Sequence, residues 1–486
     1  MVKYDSKNLV PQGWLSTTID EVANVSRHKC NPQDYPELPF IGLEHVEPRT
    51  TRIAGFVPAS EMRSTANYFE AGDVLYSRLR PYLNKVVCPD FNGLCSSEFI
   101  VFKKSEDVSS KYLMYFLFSS DFVSFASHLN TGDRPRVDFE QFKTYSFPLP
   151  PLSEQHRIVE VIEAEFTRLD AGVAALKRLR ANLKRYKAAV LKAAAEGKLV
   201  PQDPNDEPAA TLLKRILRER RLKWEADQRA KGRDPQKLKY EEPKAPNTEA
   251  LPELPEGWVW ATIQQVGDVQ LGRQRAPQHH SGEFMRPYLR VANVFEDRID
   301  VSDVLEMNFT PSEYETYRLF DGDILLNEGQ SLELVGRPAI YRDEVPGACF
   351  QNTLVRFRVA DGLMPEYALS IFRAYLHNGR FQRIARWTTN IAHLGAQRFA
   401  VLEFPLPSLN EQRKIVDKVE ELLSVMRFTE KLLVFNIKRA ERLRQAILRD
   451  AYAGRLVAQD PNDEPAAELL KRIQKARRQR TDKRTS

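Results

Sequence analysis

The chain has 486 residues, 42% of them apolar, enough for about three average domains with ordinary packed cores. Its longest apolar runs fall far short of the roughly 20 residues that cross a bilayer, and the start MVKYDSKNLVPQGW lacks the apolar stretch of a signal peptide, so a cytoplasmic protein with no membrane segment is expected. The net charge of +6 is concentrated: Leu212 to Arg233 holds nine Lys/Arg against three Asp/Glu, Leu469 to Ser486 holds eight against one, and the remainder sums to −7, so bulk charge excludes a generally basic surface outside those two segments.

From the amino terminus, residues 1–150 carry short apolar runs such as LPFIGLEHV, DVLYSRL and SEFIVF, broken by Gly, Pro and Asp, which predict strands. KYLMYFLFSSDFVSFASHL predicts helix in the same block. Residues 151–200 predict one long helix. Ser153 is a good N-cap after a proline-rich turn, and Gly197 suits the left-handed position after a last turn. A helix from Glu154 to Glu196 would span roughly 65 Å at about 1.5 Å per residue. Ile162, Leu169, Leu176, Leu183 and Val190 recur every seven residues, which favours helix pairing over a single amphipathic helix lying on a larger core. Residues 201–250 follow as a basic helix and a proline-rich linker.

The order then starts again. QDPNDEPAA at Gln202 to Ala210 returns letter for letter at Gln459 to Ala467, 257 residues later. At that offset PLPPLSEQHRIVEVIE from Pro148 lies over PLPSLNEQRKIVDKVE from Pro405, and GKLVPQDPNDEP from Gly197 over GRLVAQDPNDEP from Gly454, without a gap. Earlier the register slips: Gly13-Trp14 matches Gly257-Trp258 at 244, and AGDVLY from Ala71 matches DGDILL from Asp321 at 250. Residues 251–407 therefore form a second strand-rich block. Residues 408–456 form a second long helix, with Asn410 as its N-cap, Gly454 at its end and Val419, Met426, Leu433, Ala440 and Ile447 in its heptads. Residues 457–486 form a basic tail. One inserted residue would rotate a heptad stripe by about 100°, so a gap-free match is what a rigid paired element requires.

Catalytic and metal motifs are few. Neither G-x-x-x-x-G-K-[ST] nor G-x-G-x-x-G occurs, nor the Asn/Asp-Pro-Pro-aromatic tetrapeptide with which amino-methyltransferases hold a flipped base. The cysteines, Cys30, Cys88, Cys95 and Cys349, make no C-x-x-C pair, and neither they nor the eight histidines have a metal-ligand spacing, so buried thiols and no metal site are expected. Glu196-Gly-Lys198 resembles half of a carboxylate-x-lysine nuclease motif, but its repeat partner Ala453-Gly-Arg455 lacks the carboxylate.

Some polar segments have the chemistry to read DNA, with ordinary solvated loops or local salt bridges as the other reading of each. Residues 251–404 hold 15 arginines and no lysine; arginine's planar fork bonds two acceptors of guanine at once, whereas lysine is a point charge. Candidate contacts lie in Gly/Pro-broken segments: Arg78, Arg80, Tyr82, Asn84 and Lys85 in SRLRPYLNK, and Arg134 and Arg136 in GDRPR. In the second block they are Arg273, Gln274 and Arg275 in GRQR, Asn327 and Gln330 in NEGQ, and Arg383, Arg386 and Asn390 in GRFQRIARWTTN. SRLRPYLNK and NEGQSLELVGRP occupy equivalent positions after the GD-[VI]-L strand yet differ almost completely, as two modules with one scaffold and two targets would.

The order PxGW, GDVLYSRLRPYLNK, PLPPLSEQ, EGKLVPQDPNDEPA, basic helix, LPELPEGW, repeated once across essentially the whole chain, resembles the specificity subunit of type I restriction-modification systems. The resemblance implies an α+β fold: two α/β target-recognition domains separated by a pair of long antiparallel coiled-coil helices, with an internal pseudo-twofold repeat. It implies a non-catalytic subunit that reads a bipartite site in double-stranded DNA. Its partners would be two modification subunits that bind S-adenosylmethionine and methylate adenine, joined in the full complex by restriction subunits using Mg and ATP; this chain itself would need no cofactor. Two identical partners need two equivalent docking surfaces, so Asp203, Asn205, Asp206 and Glu207, with Asp460, Asn462, Asp463 and Glu464, are candidates for partner contact or for fixing the helix exit. Pro208 and Pro465 equally suit the first turn of the helices that follow. A stand-alone nuclease or methyltransferase, and a coiled-coil adaptor without a DNA role, are the alternative readings.

Overall fold

The computed structural model describes residues 10–485 except Thr131, Asp297 and Thr389, with side chains described to residue 479. It is an α+β protein with two compact units: the first, Met1–Lys177 with Val434–Ser486, is built from two separate stretches, and the second, Arg178–Leu433, from one. Each unit thus takes its strand-rich block from one half of the repeat and its closing segment from the other.

In the first unit, Leu15–Thr18 pairs antiparallel with Ser146–Leu149 and brings the two ends of the block together. A four-stranded sheet runs in the order Asn24–Val25, Phe99–Lys103, Val74–Ser77, Val86–Val87. A five-stranded sheet holds Lys29–Cys30, Ala66–Phe69, Gly93–Ser96, Pro39–Ile41 and Val57–Pro58. The predicted helix is two, Ser110–Phe118 and Ser120–His128. Ser119 breaks it because its hydroxyl accepts from the Phe122 amide and caps the second helix.

The second unit repeats the plan. Val259–Thr262 pairs with Glu403–Leu406, and a four-stranded sheet runs Gly267–Leu271, Leu354–Val359, Ile324–Asn327, Pro338–Ile340. In both units the GD motif puts a buried aspartate ahead of the central strand. Asp73 accepts from the Glu70 and Lys104 amides and pairs with Lys103; Asp323 accepts from the Phe320 amide and holds the Arg358 fork.

The long helices run Leu152–Ala195 and Leu409–Tyr452, starting two residues before the expected positions. Ser408, not Asn410, is the N-cap of the second, its hydroxyl accepting from the Glu411 amide at 3.0 Å; Pro151 takes that place in the first. Both helices end as predicted: Lys198 N–H bonds Ala193 O, Arg455 N–H bonds Asp450 O, and Gly197 and Gly454 sit at φ +64 and +67. A Cβ at Gly454 would come within 2.1 Å of Pro11, so glycine is required for packing as well as for backbone. Glu196 pairs with Lys198 and Lys192 on the exposed surface.

Of the heptad positions, Ile162, Val190, Val419, Met426, Leu433 and Ala440 are buried, and Leu169, Leu176, Leu183 and Ile447 half-buried. Within the second unit Arg180 meets Glu430, and Leu183 packs on a core containing Leu423 and Met426, an antiparallel match. Within the first, Asp170 pairs with Arg444, whose guanidinium also lies over Phe166.

The repeated letters act at one joint, built twice. In the second unit the Asp206 carboxylate accepts from Ser408 and Asn410 at the start of the second long helix. Gln202 and the Trp258 indole donate to buried Glu411, and Ala209 N–H donates to Gly257 O. In the first unit Asp463 accepts from Ser153 and Arg157, and Ala466 N–H donates to Gly13 O, beside buried Trp14 and Glu154. Gln155 and Gln412 complete PLPxLxEQ by accepting from the Ser109 and Met364 amides ahead of the next helices. Burial pushes the Glu154 and Glu411 carboxyls up, opposed at Glu411 by the Gln202 and Trp258 hydrogen bonds. The helices that follow, Ala209–Ala230 and Ala466–Thr485, bury Leu212 and Ile216, and Leu469 and Ile473, in the two cores.

Each block is also tied to a long helix by charge. In the second unit Glu296 meets Lys187 at 2.8 Å and His377 at 2.8 Å. Burial alone would raise its carboxyl, but His377 and Lys187 outweigh it and hold the group down at about 2. In the first unit Arg52 and Arg444 share Asp170.

Two measurements test these ties. A carboxylate at about 2 against an ordinary 4.5 contributes about 3 kcal/mol above the ordinary value, lost as pH falls from about 4.5 through 2. Glu296→Gln should therefore lower the denaturation midpoint of the second unit at pH 7, with the difference from wild type shrinking by pH 3. Asp463→Ala should cost about 1–3 kcal/mol by removing charge-assisted bonds to Ser153 and Arg157, and limited trypsin digestion should release the tail beyond Lys471 sooner; unchanged digestion would show that the joint does not hold the tail.

Candidate nucleic-acid interface

In the first unit two separate sequence clusters come together. The segment after Val74–Ser77 is zipped to the GDRPR segment: Val137 N–H bonds Arg78 O at 2.9 Å, Arg80 N–H bonds Pro135 O at 2.8 Å, and Leu79 bridges Arg136. Arg80 and Asn84 adopt left-handed backbone on either side of the Pro81–Leu83 turn. Arg78 is tied to Asp138, and Arg136 to Glu98 at 2.5 Å. Tyr82, Arg134 and Arg136 are exposed, and Arg78 and Arg80 half-buried. Lys85 bonds Leu43 O at 2.6 Å, and burial lowers its ammonium. Asn84 is 6% exposed with its amide donating to Phe118 O, so it shapes the turn beneath the surface.

The second unit has the same ladder at the same place. Leu394 N–H bonds Glu328 O at 2.8 Å, as Val137 bonds Arg78, and Gly329–Gln330 pairs antiparallel with Ala392–His393. Arg386–Trp387 adds an outer strand and completes a three-stranded sheet. NEGQ and the RFQRIARWTTN segment are thereby joined. The chemistry on the shared ladder is reversed: Arg78 with Asp138 stands in the first unit where Glu328, bonded to His393 at 2.9 Å, stands in the second. Arg383, Arg386 and Asn390 are exposed and Gln330 half-buried.

Two candidates of the second unit are scaffold in this structure. Arg273 is 6% exposed, with its guanidinium shared among Glu313, Asn308 O and His279 and lying over Phe309. Asn327 is fully buried at the end of its strand. Both lie at or just after a strand end, where sequence does not say which side chains point inward. Gln274 and Arg275 beside them are exposed, with Arg275 bonded to His280. Among the residues not foreseen are Glu98 and Asp138, which orient the arginine forks, and Trp387, 58% exposed on the outer strand. A tryptophan inside the polar run RWTTN was the signal for the last.

The repeat carboxylates also have partners within the chain. Beyond Asp206 and Asp463, Asp203 lies near Lys414, Glu207 pairs with Arg215 and Glu464 with Arg472, while Asn205 and Asn462 donate to Asp203 and Asp460. Cys95 and Cys349 are buried and Cys30 and Cys88 half-buried, all as thiols. Among the described residues, no group of His, Cys, Asp and Glu is arranged to hold a metal, and no helix is long and apolar enough to cross a membrane.

Comparison with known proteins places this architecture. The chain is 25% identical over 398 residues to the type I restriction enzyme EcoKI specificity subunit of Escherichia coli K12, covering 80% of this chain and 75% of that one. It is 27% identical over 222 residues to the EcoDI specificity subunit of Escherichia coli, a match of 43% of this chain that spans only half the length of that relative. A chain from a solved structure on complex assembly and conformational transition of the type I R-M system superposes with a TM-score of 0.66 at 21% identity, over 92% of this chain and 99% of that one, a likeness of fold. The model of the type I restriction modification DNA specificity domain matches residues 11–184 and again 255–434. With that domain present twice, on two copies of one ladder bearing different side chains, the chain belongs to the type I restriction-modification DNA specificity family.

Proposed function

We propose that the chain reads a bipartite sequence in double-stranded DNA, one half-site with each unit, and that the long helices set the spacing between the halves. The observation that carries this is the shared ladder: one backbone scaffold presents Arg78, Arg80, Arg134 and Arg136 in one unit and Gln330, Arg386 and Asn390 in the other. A repeated scaffold with unlike edges reads two unlike sequences. Each good bidentate contact contributes roughly 1–3 kcal/mol of discrimination, so neither half alone binds tightly.

The chain supplies recognition, and partners supply the chemistry. Two modification subunits carrying S-adenosylmethionine would dock on the two equivalent joints, with restriction subunits using Mg and ATP completing the assembly in the cytoplasm. The internal repeat supports two equivalent sites. The second long helix adds apolar surface for a partner, with Val425, Phe428 and Leu432 exposed at helical spacing. Purified chain incubated with DNA, magnesium and S-adenosylmethionine should neither cut nor methylate; turnover without added subunits would instead favour a stand-alone enzyme.

Arg180 faces Glu430 across the helix pair, so the spacing can be changed on both strands of the ruler at once. Inserting four residues after Ala181 and four after Thr429 adds about 6 Å of helix, close to two base-pair steps. Methylation mapping in a host carrying this variant should show both half-sites unchanged and the spacer altered by one or two base pairs. Altered half-site bases with an unchanged spacer would end the ruler reading.

A further inference from the structure

Trp387 is the one fully described tryptophan that the fold does not cover. Trp14 and Trp258 are 4% and 7% exposed at the two joints; Trp224 packs on Tyr240 and Trp260 donates to Pro252 O. Trp387 is 58% exposed, and Ile391 across the turn is 46% exposed.

The strand that carries it is held at its base and tip. Arg398 donates to Ile384 O and His393 O, pinning both legs of the hairpin. Thr388 N–H bonds Ile391 O at 2.9 Å and closes the tip. His393 is bonded to Glu328, and the inner strand pairs with Gly329–Gln330, one of the segments proposed above to read bases. The register pairs both Trp387 and Gln330 with Ala392, so these side chains share one face of the small sheet. An exposed apolar ring on a hydrogen-bonded hairpin, on the same face as a base-reading candidate, has the chemistry of a side chain that enters a base stack, where the ring replaces a lost stacking partner.

The first unit provides an internal control. Counting back from the shared ladder, where Val137 matches Leu394, the position of Trp387 is held by Asn130. Its amide turns inward to Arg136 O and Gln141.

We propose that the Trp387 indole is a wedge that inserts against an unstacked base step in the half-site read by the second unit, and that the first unit has no counterpart. This rests on the DNA-reading function proposed above. The test uses the full chain assembled with its modification subunits, on duplexes bearing the motif found by methylation mapping. 2-Aminopurine is placed in turn at each position of both half-sites other than the methylated adenine. Wild type should raise 2-aminopurine fluorescence at one step in one half-site only. Trp387→Ala should abolish that rise and weaken binding roughly 10- to 100-fold, and Trp387→Phe should keep most of both. Trp387→Ala equal to wild type in fluorescence and affinity would overturn the wedge alone, as would loss of assembly with the modification subunits in the absence of DNA, which would make Trp387 a protein contact. A wild-type complex that bound no duplex would sink the DNA-reading function and the wedge with it.

Discussion

The structure depends on a carboxylate seated at the start of a helix that belongs to the other half of the sequence. Asp206 holds Ser408 and Asn410, and Asp463 holds Ser153 and Arg157. An anion at a helix amino terminus meets unsatisfied N–H groups and the positive end of the helix dipole, so the seat is favourable for electrostatic reasons that do not depend on the rest of the fold. Around it, Trp258 with Glu411, and Trp14 beside Glu154, close the joint against water. Because each repeat finds its seat in the opposite half, the first unit is complete only when the chain has returned to it after forming the second. The entropy of closing such long loops grows only slowly with their length, so the exchange costs little more than local docking would.

On that frame the reading edges are free to differ. The ladder at Arg78 and Val137, and at Glu328 and Leu394, is made of backbone hydrogen bonds, which are blind to side-chain identity. Arg78 and Arg136 can therefore stand where Glu328 and His393 stand without altering the scaffold. Several edge arginines are held by carboxylates, such as Arg136 by Glu98. Exposed pairs of this kind contribute little stability; their consequence is orientation of the guanidinium fork. A fork held in place loses less freedom when it meets a base or a phosphate.

The charge ties between block and helix follow the same logic in two dialects. Lys187 and Arg444 occupy equivalent positions in the two long helices, yet Lys187 meets Glu296 directly, whereas Arg444 shares Asp170 with Arg52. The repeat thus preserves the place of the tie while its partners have changed. Glu296, held at about 2 by His377 and Lys187 against the effect of burial, makes the second unit acid-sensitive at this contact.

By itself the sequence determined what is local or periodic. The gap-free repeat, the seven-residue apolar spacing, the glycines after each long helix and the absence of a familiar catalytic motif are all legible because they depend on neighbours a few residues away or on comparison of the chain with itself. The helix starts were misplaced by two residues, since Ser153 and Asn410 look like caps until Asp463 and Asp206 are seen to occupy them. Only the tertiary structure decided which copy of QDPNDEP sits on which helix, that Asn84, Arg273 and Asn327 point inward, and that Gln330 and Trp387 share one small sheet. Those outcomes are set by contacts between residues tens to hundreds of positions apart, and a side chain's direction at a loop or strand end is fixed by what packs behind it, which no local pattern records.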